Sequence, residues 1–174
     1  MEPKCDIRHL PRSYLKKVVD LYKTHQTIAR TEPGIFNWRI SRQFNTYWDP
    51  GGIILGCFDQ EGNLIGFVAG KESYYEDPYR GITVEPQRND HGRPRIKMIF
   101  WHEHLIVVPD QRRNGIGTAL MRSFLEKVNE NVVRNICHER WLIGFYNTFG
   151  FTTIYGGKVP KNPNQMYWIN EVER

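Results

Sequence analysis

The pattern of apolar and polar positions predicts a strand, two helices and a hairpin in the first 70 residues. A short strand is predicted at about residues 4–9, followed by an amphipathic helix over 15–22, where apolar residues recur at helical spacing. A weaker helical pattern spans residues 36–44. Two apolar runs, 53–59 and 64–70, then flank a polar turn that contains glycine, which is typical of a β-hairpin.

The second half of the chain predicts its strongest strand, followed by alternating helices and strands. Residues 96–108 carry apolar side chains on both alternating faces, which indicates a central position in a sheet. The later predicted elements are a helix over 116–128, a strand over 132–137, a helix over 141–149, and strands over 151–155 and 166–169. The sum is an α+β fold in the order β-α-α-β-β-β-α-β-α-β-β.

Residues 72–95 interrupt this regular pattern. They hold three tyrosines, three prolines and charges of both signs, without sustained periodicity. We interpret them as an excursion between two strands, and a loop of this length inside a domain is usually functional or disordered. Because 174 residues can bury a single core, the prediction is one domain over residues 1–174.

The composition of the chain limits the classes of partner and ligand that it could bind. The formal net charge of +5 favours anionic ligands, but the basic residues are dispersed rather than massed, so a nucleic-acid groove is disfavoured. No apolar run is long enough to cross a bilayer, and the charged start lacks the apolar core of a secretory signal, which predicts a cytoplasmic protein without a membrane partner. Cys5, Cys57 and Cys137 are expected to be reduced thiols, and no Cys/His spacing suits a metal.

The segment from residue 105 to 120 runs from a strand through a polar loop into a helix with Gly115 and Gly117 at its entrance. Loop amides and a helix N-terminus at such a place present unpaired N–H donors that suit phosphate oxygens. Arg112 and Arg113 add positive charge and forked donors. The segment fits neither the Walker pattern nor the dinucleotide fingerprint. On the glycines alone, an ordinary strand-to-helix turn is the simpler interpretation.

The wider string favours a phosphate site. Val107, Pro109, Arg112, Gly115 and Gly117 stand in the order V-x-P-x-x-Q/R-x-x-G-x-G/A, which resembles the acetyl-CoA signature of the GNAT superfamily of N-acyltransferases. The string F-Y-N-T-F-G-F at residues 145–151 is similar to the final helix-to-strand segment of that family. The two resemblances together cover roughly residues 96–155, and the preceding elements agree in order only.

This resemblance implies a GNAT-like mixed central sheet of about seven strands flanked by about four helices. It also implies that the end of the central strand runs beside the pantetheine arm of coenzyme A and that the following turn cradles the diphosphate. The implied cofactor-binding residues are Ile106, Val107, Val108, Arg112, Arg113, Asn114, Gly115, Ile116, Gly117 and Thr118. One departure is Glu139, which stands where the family often has an asparagine that helps to hold the cofactor.

Amine acylation needs a base that removes a proton from the amine, and Glu103 is our candidate. It lies mid-strand on an otherwise apolar face, at a position where the family often carries its base. The alternative is a structural carboxylate paired with an arginine or a hydroxyl. His102 and His104 point to the opposite face and are expected to be packed or surface histidines, while His138 is the reserve base.

Tyr146 matches the family tyrosine that can protonate the departing thiolate. The alternative is core packing beside Phe145 and Phe149, which we expect on the buried face of the helix. Cys137 could serve as an acyl-carrying nucleophile, but side chains of neighbouring strand residues face opposite ways and its neighbour His138 would not activate it. We therefore expect direct transfer within a ternary complex.

The predicted function is an N-acetyltransferase that moves an acetyl group from acetyl-CoA to a primary amine of a small molecule, peptide or protein. Tyr74, Tyr75 and Arg80 of the excursion are candidates for shaping the acceptor site. The alternative function is a CoA-binding sensor without turnover, or a basic module associated with nucleic acid. The sequence permits a homodimer but does not specify one.

Overall fold

The computed structural model describes residues 5–25, 36–78, 80–83, 87–88, 94–95, 99–128, 132–159 and 162–173. Its helices are α1 (Leu15–His25), α2 (Phe36–Asn45), α3 (Ile116–Lys127) and α4 (Trp141–Asn147). Its longer strands are β1 (Asp6–His9), β2 (Gly52–Phe58), β3 (Leu64–Ser73), β8 (Ile99–Val107), β9 (Val132–Cys137), β10 (Thr152–Val159) and β11 (Asn162–Glu173). Its short strands are β4 (Tyr75–Asp77), β5 (Ile82–Thr83), β6 (Gln87–Arg88) and β7 (Pro94–Arg95).

The longer strands form one seven-stranded sheet in the order β1-β2-β3-β8-β9-β11-β10. The pairing of β8 with β9 is parallel, whereas β1 with β2, β2 with β3, β9 with β11 and β10 with β11 are antiparallel. The predicted α+β class, the mixed sheet and the order of the elements are therefore confirmed. The parallel ladder ends at the pair His102↔Asn135, although β8 itself continues to Val107.

Two predicted boundaries were wrong at the C-terminal end. The strand predicted over 166–169 extends over Asn162–Glu173, and the strand predicted over 151–155 extends to Val159. Antiparallel pairing of β11 with β10 on one side and with β9 on the other extends both strands beyond their apolar runs. The first residues of the predicted central strand, 96–98, lie outside the described residues.

The chain divides into two compact units, and β8 contributes residues to both. The first unit comprises Met1–Lys71 and Glu103–Val128. Its core is formed by apolar side chains of α1, α2, β2 and β3, among which Val18, Phe44, Ile54 and Phe67 are fully buried. The amphipathic spacing of α1 explains why Val18, Val19 and Tyr22 are its buried residues.

Gly66 shows how tightly α3 and β8 pack on β3 in this unit. A Cβ atom at Gly66 would lie 2.8 Å from the carbonyl oxygen of Ile106 and 3.3 Å from Cδ1 of Leu120. Leu120 is fully buried on the inner face of α3, together with Met121 and Phe124. The missing side chain therefore lets the helix that follows β8 lie directly on the sheet.

The second unit comprises Glu72–His102 and Asn129–Arg174. Its core is formed by apolar residues of β8, β9, β10 and β11: Ile99, Trp101, Val132, Val159, Tyr167 and Ile169. The excursion showed no periodicity, and its described residues include four short strands, paired as β4 with β5 and β6 with β7. Such strands are too short for a periodic pattern to be visible in the sequence.

Three side chains of the sheet hold three consecutive residues of β4. The indole Nε1 of Trp101 donates to the carbonyl of Tyr75 at 2.8 Å, and Nη1 of Arg134 donates to the carbonyl of Glu76 at 3.2 Å. The hydroxyl of Tyr167 donates to Oδ2 of Asp77 at 2.8 Å. The first part of the excursion is thus fixed to strands β8, β9 and β11 of its own unit.

None of the helices among the described residues combines the length and apolar character that spanning a bilayer requires.

Candidate active site

The turn between β8 and α3 has an unusual backbone. A single 3-10 turn over Pro109–Gln111 follows β8, and the amide of Arg112 donates to the carbonyl of Pro109 at 3.1 Å. Arg113 and Gly115 then adopt left-handed conformations, with φ of 64° and 79°. Glycine adopts this conformation without strain, whereas a residue with a side chain pays on the order of 1 kcal/mol. The predicted glycine at the helix entrance thus has a conformational reason to be there.

The first turn of α3 presents unpaired backbone donors. The amide of Ala119 donates to the carbonyl of Gly115 at 2.9 Å, which is the first hydrogen bond of the helix. Within the described part of the chain, no backbone carbonyl accepts from the amides of Ile116, Gly117 or Thr118. Free N–H groups and the positive end of the helix dipole together make this turn suitable for the oxygens of a diphosphate.

The side chains of the turn either hydrogen-bond to the backbone or extend into solvent. Arg112 donates from Nε to the carbonyl of Val107 at 2.9 Å, so its side chain also braces the turn against the end of β8. Arg113 and Asn114 are exposed to solvent. All predicted cofactor-binding residues lie in this one stretch, at the end of β8, in the turn or in the first turn of α3. Exposed arginines beside free amides fit the charge of a diphosphate.

Glu103 lies in β8 within the first unit and is half-buried. Its Oε2 atom accepts a hydrogen bond from Nε2 of Gln43 at 3.2 Å and a short hydrogen bond from the hydroxyl of Tyr47. The predicted alternative, a carboxylate paired with a hydroxyl, thus describes its contacts correctly, and these contacts leave its role as a base open. Neither partner was predicted from the sequence: Gln43 lies in the last turn of α2 and Tyr47 in the 3-10 turn that follows, so no single helical period relates them.

Tyr47 is enclosed by aromatic rings. It is fully buried and makes edge contacts with Phe44 and His104, at centroid distances of 5.5 and 5.8 Å. Burial, followed by the charge of Glu103, raises the pKa of Tyr47, so its hydroxyl remains a donor at neutral pH. His104 and His102 are both buried, which is the packed one of the two predicted placements, packed or surface. His104 stacks on Phe44 at 4.9 Å.

The position of Tyr146 shows that the predicted buried face of α4 was wrong. We expected Phe145 and Phe149 on the buried face, but they are half-buried, and Tyr146 is the buried residue, with 5% of its surface exposed. Its ring lies 5.6 Å from that of His102 and 5.8 Å from that of Phe151. The helix is only Trp141–Asn147, and in the structure its inner face is the one that meets these two rings. The hydroxyl of Tyr146 makes no hydrogen bond with another described residue.

Burial, followed by the charge of a Cys137 thiolate, raises the pKa of Tyr146. The phenol therefore holds its proton throughout the neutral range and can act there only as a donor or as a neutral acceptor.

A family model described as an acetyltransferase (GNAT) domain matches residues 50–153, which is more than half of the chain. The chain belongs to the GNAT acetyltransferase family. It is an enzyme that uses acetyl-CoA as the donor in N-acetyl transfer. A comparison with curated proteins found no match.

Solved structures share the fold of this GNAT acetyltransferase. NAA60 from Arabidopsis thaliana, crystallised with acetyl-CoA, is 16% identical, with a TM-score of 0.67 and coverage of 97% of this chain and 98% of the other. The ribosomal-protein-S18-alanine N-acetyltransferase of Escherichia coli is 13% identical, with a TM-score of 0.65 and coverage of 97% and 93%. Ard1 from Thermoplasma volcanium is 17% identical, with a TM-score of 0.65 and coverage of 98% and 97%.

The second unit of this acetyltransferase holds the reserve base and the candidate nucleophile. Nδ1 of His138 lies 3.3 Å from the carbonyl of Met166, an arrangement that requires Nδ1 to carry the hydrogen. Burial lowers the pKa of His138, which keeps the ring neutral at pH 7. Burial raises the pKa of Cys137, whose sulfur accepts from Nδ2 of Asn170 at 3.4 Å. A thiol that stays protonated is a poor nucleophile.

Proposed function

We propose that this acetyltransferase acetylates a primary amine by direct transfer in a ternary complex and binds the diphosphate of coenzyme A at the turn between β8 and α3. The observation that carries the proposal is the set of free amides at Ile116, Gly117 and Thr118, directly after the exposed Arg113 and Asn114. Acetyl-CoA supplies an activated acetyl thioester. The residues of this chain bind it, orient it and move the protons.

Binding is divided between the strand and the turn. Backbone groups of Ile106, Val107 and Val108 would align the pantetheine arm beside β8, and the segment Arg112–Thr118 would hold the diphosphate. This division is supported by the parallel ladder with β9, which ends at His102↔Asn135 before β8 does. Beyond this ladder, the backbone groups of β8 that lack a partner could serve a ligand, whereas the amide of Val108 donates to the carbonyl of Ile65 at 3.0 Å and the carbonyl of Val107 accepts from Arg112.

Glu103 is the proposed general base. An amine acceptor is mostly protonated at neutral pH, and a carboxylate in hydrogen-bonding reach can accept the proton that blocks its lone pair. The half-buried position of Glu103 and its two donors support a fixed carboxylate at this point of β8. His138 is the alternative base, since it is neutral at pH 7.

Tyr146 is the proposed proton donor to the departing thiolate. Its raised pKa keeps the phenol protonated, and no other described residue forms a hydrogen bond with its hydroxyl. The protonated thiol of Cys137 supports direct transfer rather than an acetylated enzyme.

Side chains of the excursion over residues 72–95 would recognise the acceptor. Tyr74 and Tyr75 expose 51% and 46% of their surfaces, and the guanidinium of Arg80 lies 5.3 Å from the ring centroid of Tyr155. The three hydrogen bonds that fix β4 support a rigid platform for these side chains. The name of the E. coli relative, an alanine N-acetyltransferase, favours testing peptide N-termini first.

Two broader predictions belong to the same proposal. We expect the whole chain to act as one N-acyltransferase domain in the cytoplasm. A homodimer is compatible with the proposal but is not required by any step of it.

The cofactor site is tested by ligand-dependent stability. Acetyl-CoA at about 100 times its dissociation constant should stabilise the wild-type protein by roughly 2.7 kcal/mol. Gly117→Glu should abolish this gain, because a carboxylate at the start of α3 repels the diphosphate and fills its place. Gly144→Glu is the matched control, since Gly144 is exposed and has open space around its missing Cβ. Full stabilisation of Gly117→Glu by acetyl-CoA would refute the proposed site.

Turnover is tested by release of free coenzyme A thiol in the presence of acceptors. The acceptors are a peptide with a free N-terminus, an N-blocked lysine peptide, spermidine and kanamycin. Release that depends on one of them identifies the acceptor class, whereas tight acetyl-CoA binding without any release would favour the sensor.

A further inference from the structure

Both hydrogen bonds to Glu103 end on the same oxygen. The amide of Gln43 and the hydroxyl of Tyr47 donate to Oε2, and no donor from the described residues reaches Oε1. A carboxylate has two equivalent oxygens in water, each with two lone pairs. Here the described residues distinguish them, because they hold one oxygen and leave the other available.

The donors are themselves held in place. Tyr47 lies in the turn after α2, fully buried, with its ring fixed by edge contacts to Phe44 and His104. Nζ of Lys71 donates to the hydroxyl of Thr46 at 3.1 Å and lies 5.9 Å from the ring centroid of Tyr47. A buried ring with three such neighbours has little rotational freedom, so its hydroxyl defines a fixed point for Oε2.

We propose that Tyr47 and Gln43 are positioning residues that hold Oε2 of Glu103, so that Oε1 is the oxygen that takes the proton from the acceptor amine. This inference rests on the proposed role of Glu103 as the base. It adds two residues that the acetyl-CoA signature does not include: Gln43 from the last turn of α2 and Tyr47 from the turn that follows this helix.

The proton transfer is balanced. The N–H bond of the acceptor ammonium breaks, its electron pair stays on nitrogen, and the proton forms an O–H bond with Oε1. The two donors fix the direction from which the carboxylate accepts the proton. The titratable and charged groups around the pair are Tyr22 and His104, which join Tyr47 in one aromatic cluster around Phe44, and Lys71.

The first test follows the Glu103 side chain directly in the full-length protein without ligands. Carbon-13 labelling of glutamate carboxyl groups allows a pH titration by NMR, and the spectrum of Glu103→Gln assigns the signal. Tyr47→Phe removes only the hydroxyl, and we expect the titration of Glu103 to move upward by about one pH unit, the equivalent of a lost hydrogen bond to a charged group. Gln43→Leu should move it in the same direction by a smaller amount.

Tyr14→Phe is the matched control, because Tyr14 belongs to the same unit and its ring packs on Phe58 at 5.6 Å. It should leave the titration of Glu103 unchanged. Gln43 is exposed, so its variant should fold even if Tyr47→Phe does not. An unmoved titration in both Gln43→Leu and a folded Tyr47→Phe would overturn the inference.

A second test separates this inference from the proposed role of Glu103. With the acceptor that gives the fastest thiol release, the acid limb of kcat/KM should move upward in Tyr47→Phe by the same amount as the NMR titration. If Glu103→Gln retains the wild-type acid limb, the proposed base is wrong. If Glu103→Gln abolishes the limb but Tyr47→Phe leaves it in place, only the positioning role is wrong. In the Glu103→Gln background, Tyr47→Phe should cause no further loss of rate.

Discussion

Glu103 and Tyr146 are both polar groups in largely apolar surroundings, but the first unit holds its carboxylate with hydrogen bonds and the second holds its phenol with aromatic rings. Glu103 receives donors from Gln43 and Tyr47 on one oxygen. Tyr146 contacts the rings of His102, Phe145 and Phe151. No described residue bonds to its hydroxyl.

This difference follows from what each group must do. A base has to stay ionised and to present one oxygen in a fixed direction, and donors on the other oxygen serve this purpose. A phenol that donates a proton needs only to remain neutral and to be aimed, and burial among rings achieves both. Variants of the two residues should therefore fail in different ways. Rate and stability should change together in variants of Glu103, whereas in variants of Tyr146 the rate should change without the stability.

The largest expected effect is that of Glu103→Gln. We expect kcat/KM to fall by about 10²- to 10⁴-fold, the usual contribution of a general base, while acetyl-CoA still stabilises the protein. His138→Asn, which removes the alternative base, should cost less than about tenfold. The measurement is thiol release at saturating acetyl-CoA with the best acceptor of the panel.

The opposite ranking would assign the base to His138. Burial lowers the pKa of His138. If His138 is the base, the rate should therefore stay unchanged down to a pH below about 6.5, the ordinary pKa of histidine. An acid limb that disappears in His138→Asn would confirm that assignment and exclude Glu103.

A smaller effect is expected for Tyr146→Phe. A thiolate is a good leaving group, with an ordinary pKa of about 8.5, so the loss of its proton donor should reduce kcat by only about tenfold. Because the pKa of Tyr146 is raised above its ordinary value of about 10, its ionisation should cause no alkaline fall in the wild-type rate below that pH. An unchanged kcat in Tyr146→Phe would remove this residue from the reaction.

The geometry of the turn between β8 and α3, the proposed diphosphate site, could be predicted because all its determinants are consecutive in the chain. Gly115 occupies the left-handed position at the helix entrance, and the free amides that follow are a property of any helix N-terminus. The central position of β8 in the sheet could also be predicted, since its apolar residues fall on both faces. Local sequence is sufficient for features of this kind.

The environment of the candidate base could not be predicted, because it depends on contacts between distant segments. Gln43 and Tyr47 lie 60 and 56 residues before Glu103 in the sequence, and no local pattern connects them. The buried face of α4 was predicted wrongly for a related reason. A helix this short has too few turns for periodicity to define a buried face, and the rings of His102 and Phe151 decide it.

The smallest expected effect is that of Tyr146→Phe on stability, and Tyr167→Phe in the same unit is its comparison. The hydroxyl of Tyr167 donates to the buried carboxylate of Asp77, so Tyr167→Phe should lower the free energy of unfolding by about 1–3 kcal/mol. Tyr146→Phe removes a hydroxyl with no partner among the described residues and should change it by no more than about 0.5 kcal/mol.

Urea denaturation at pH 7 measures both changes, as shifts of the midpoint at constant slope. Equal losses in the two variants would mean that the hydroxyl of Tyr146 has a structural partner after all, and that hydrogen bonding, rather than aromatic packing alone, holds both proposed catalytic groups. A loss confined to Tyr167→Phe would instead show that the phenol of Tyr146 is free to serve the reaction without a cost to the fold.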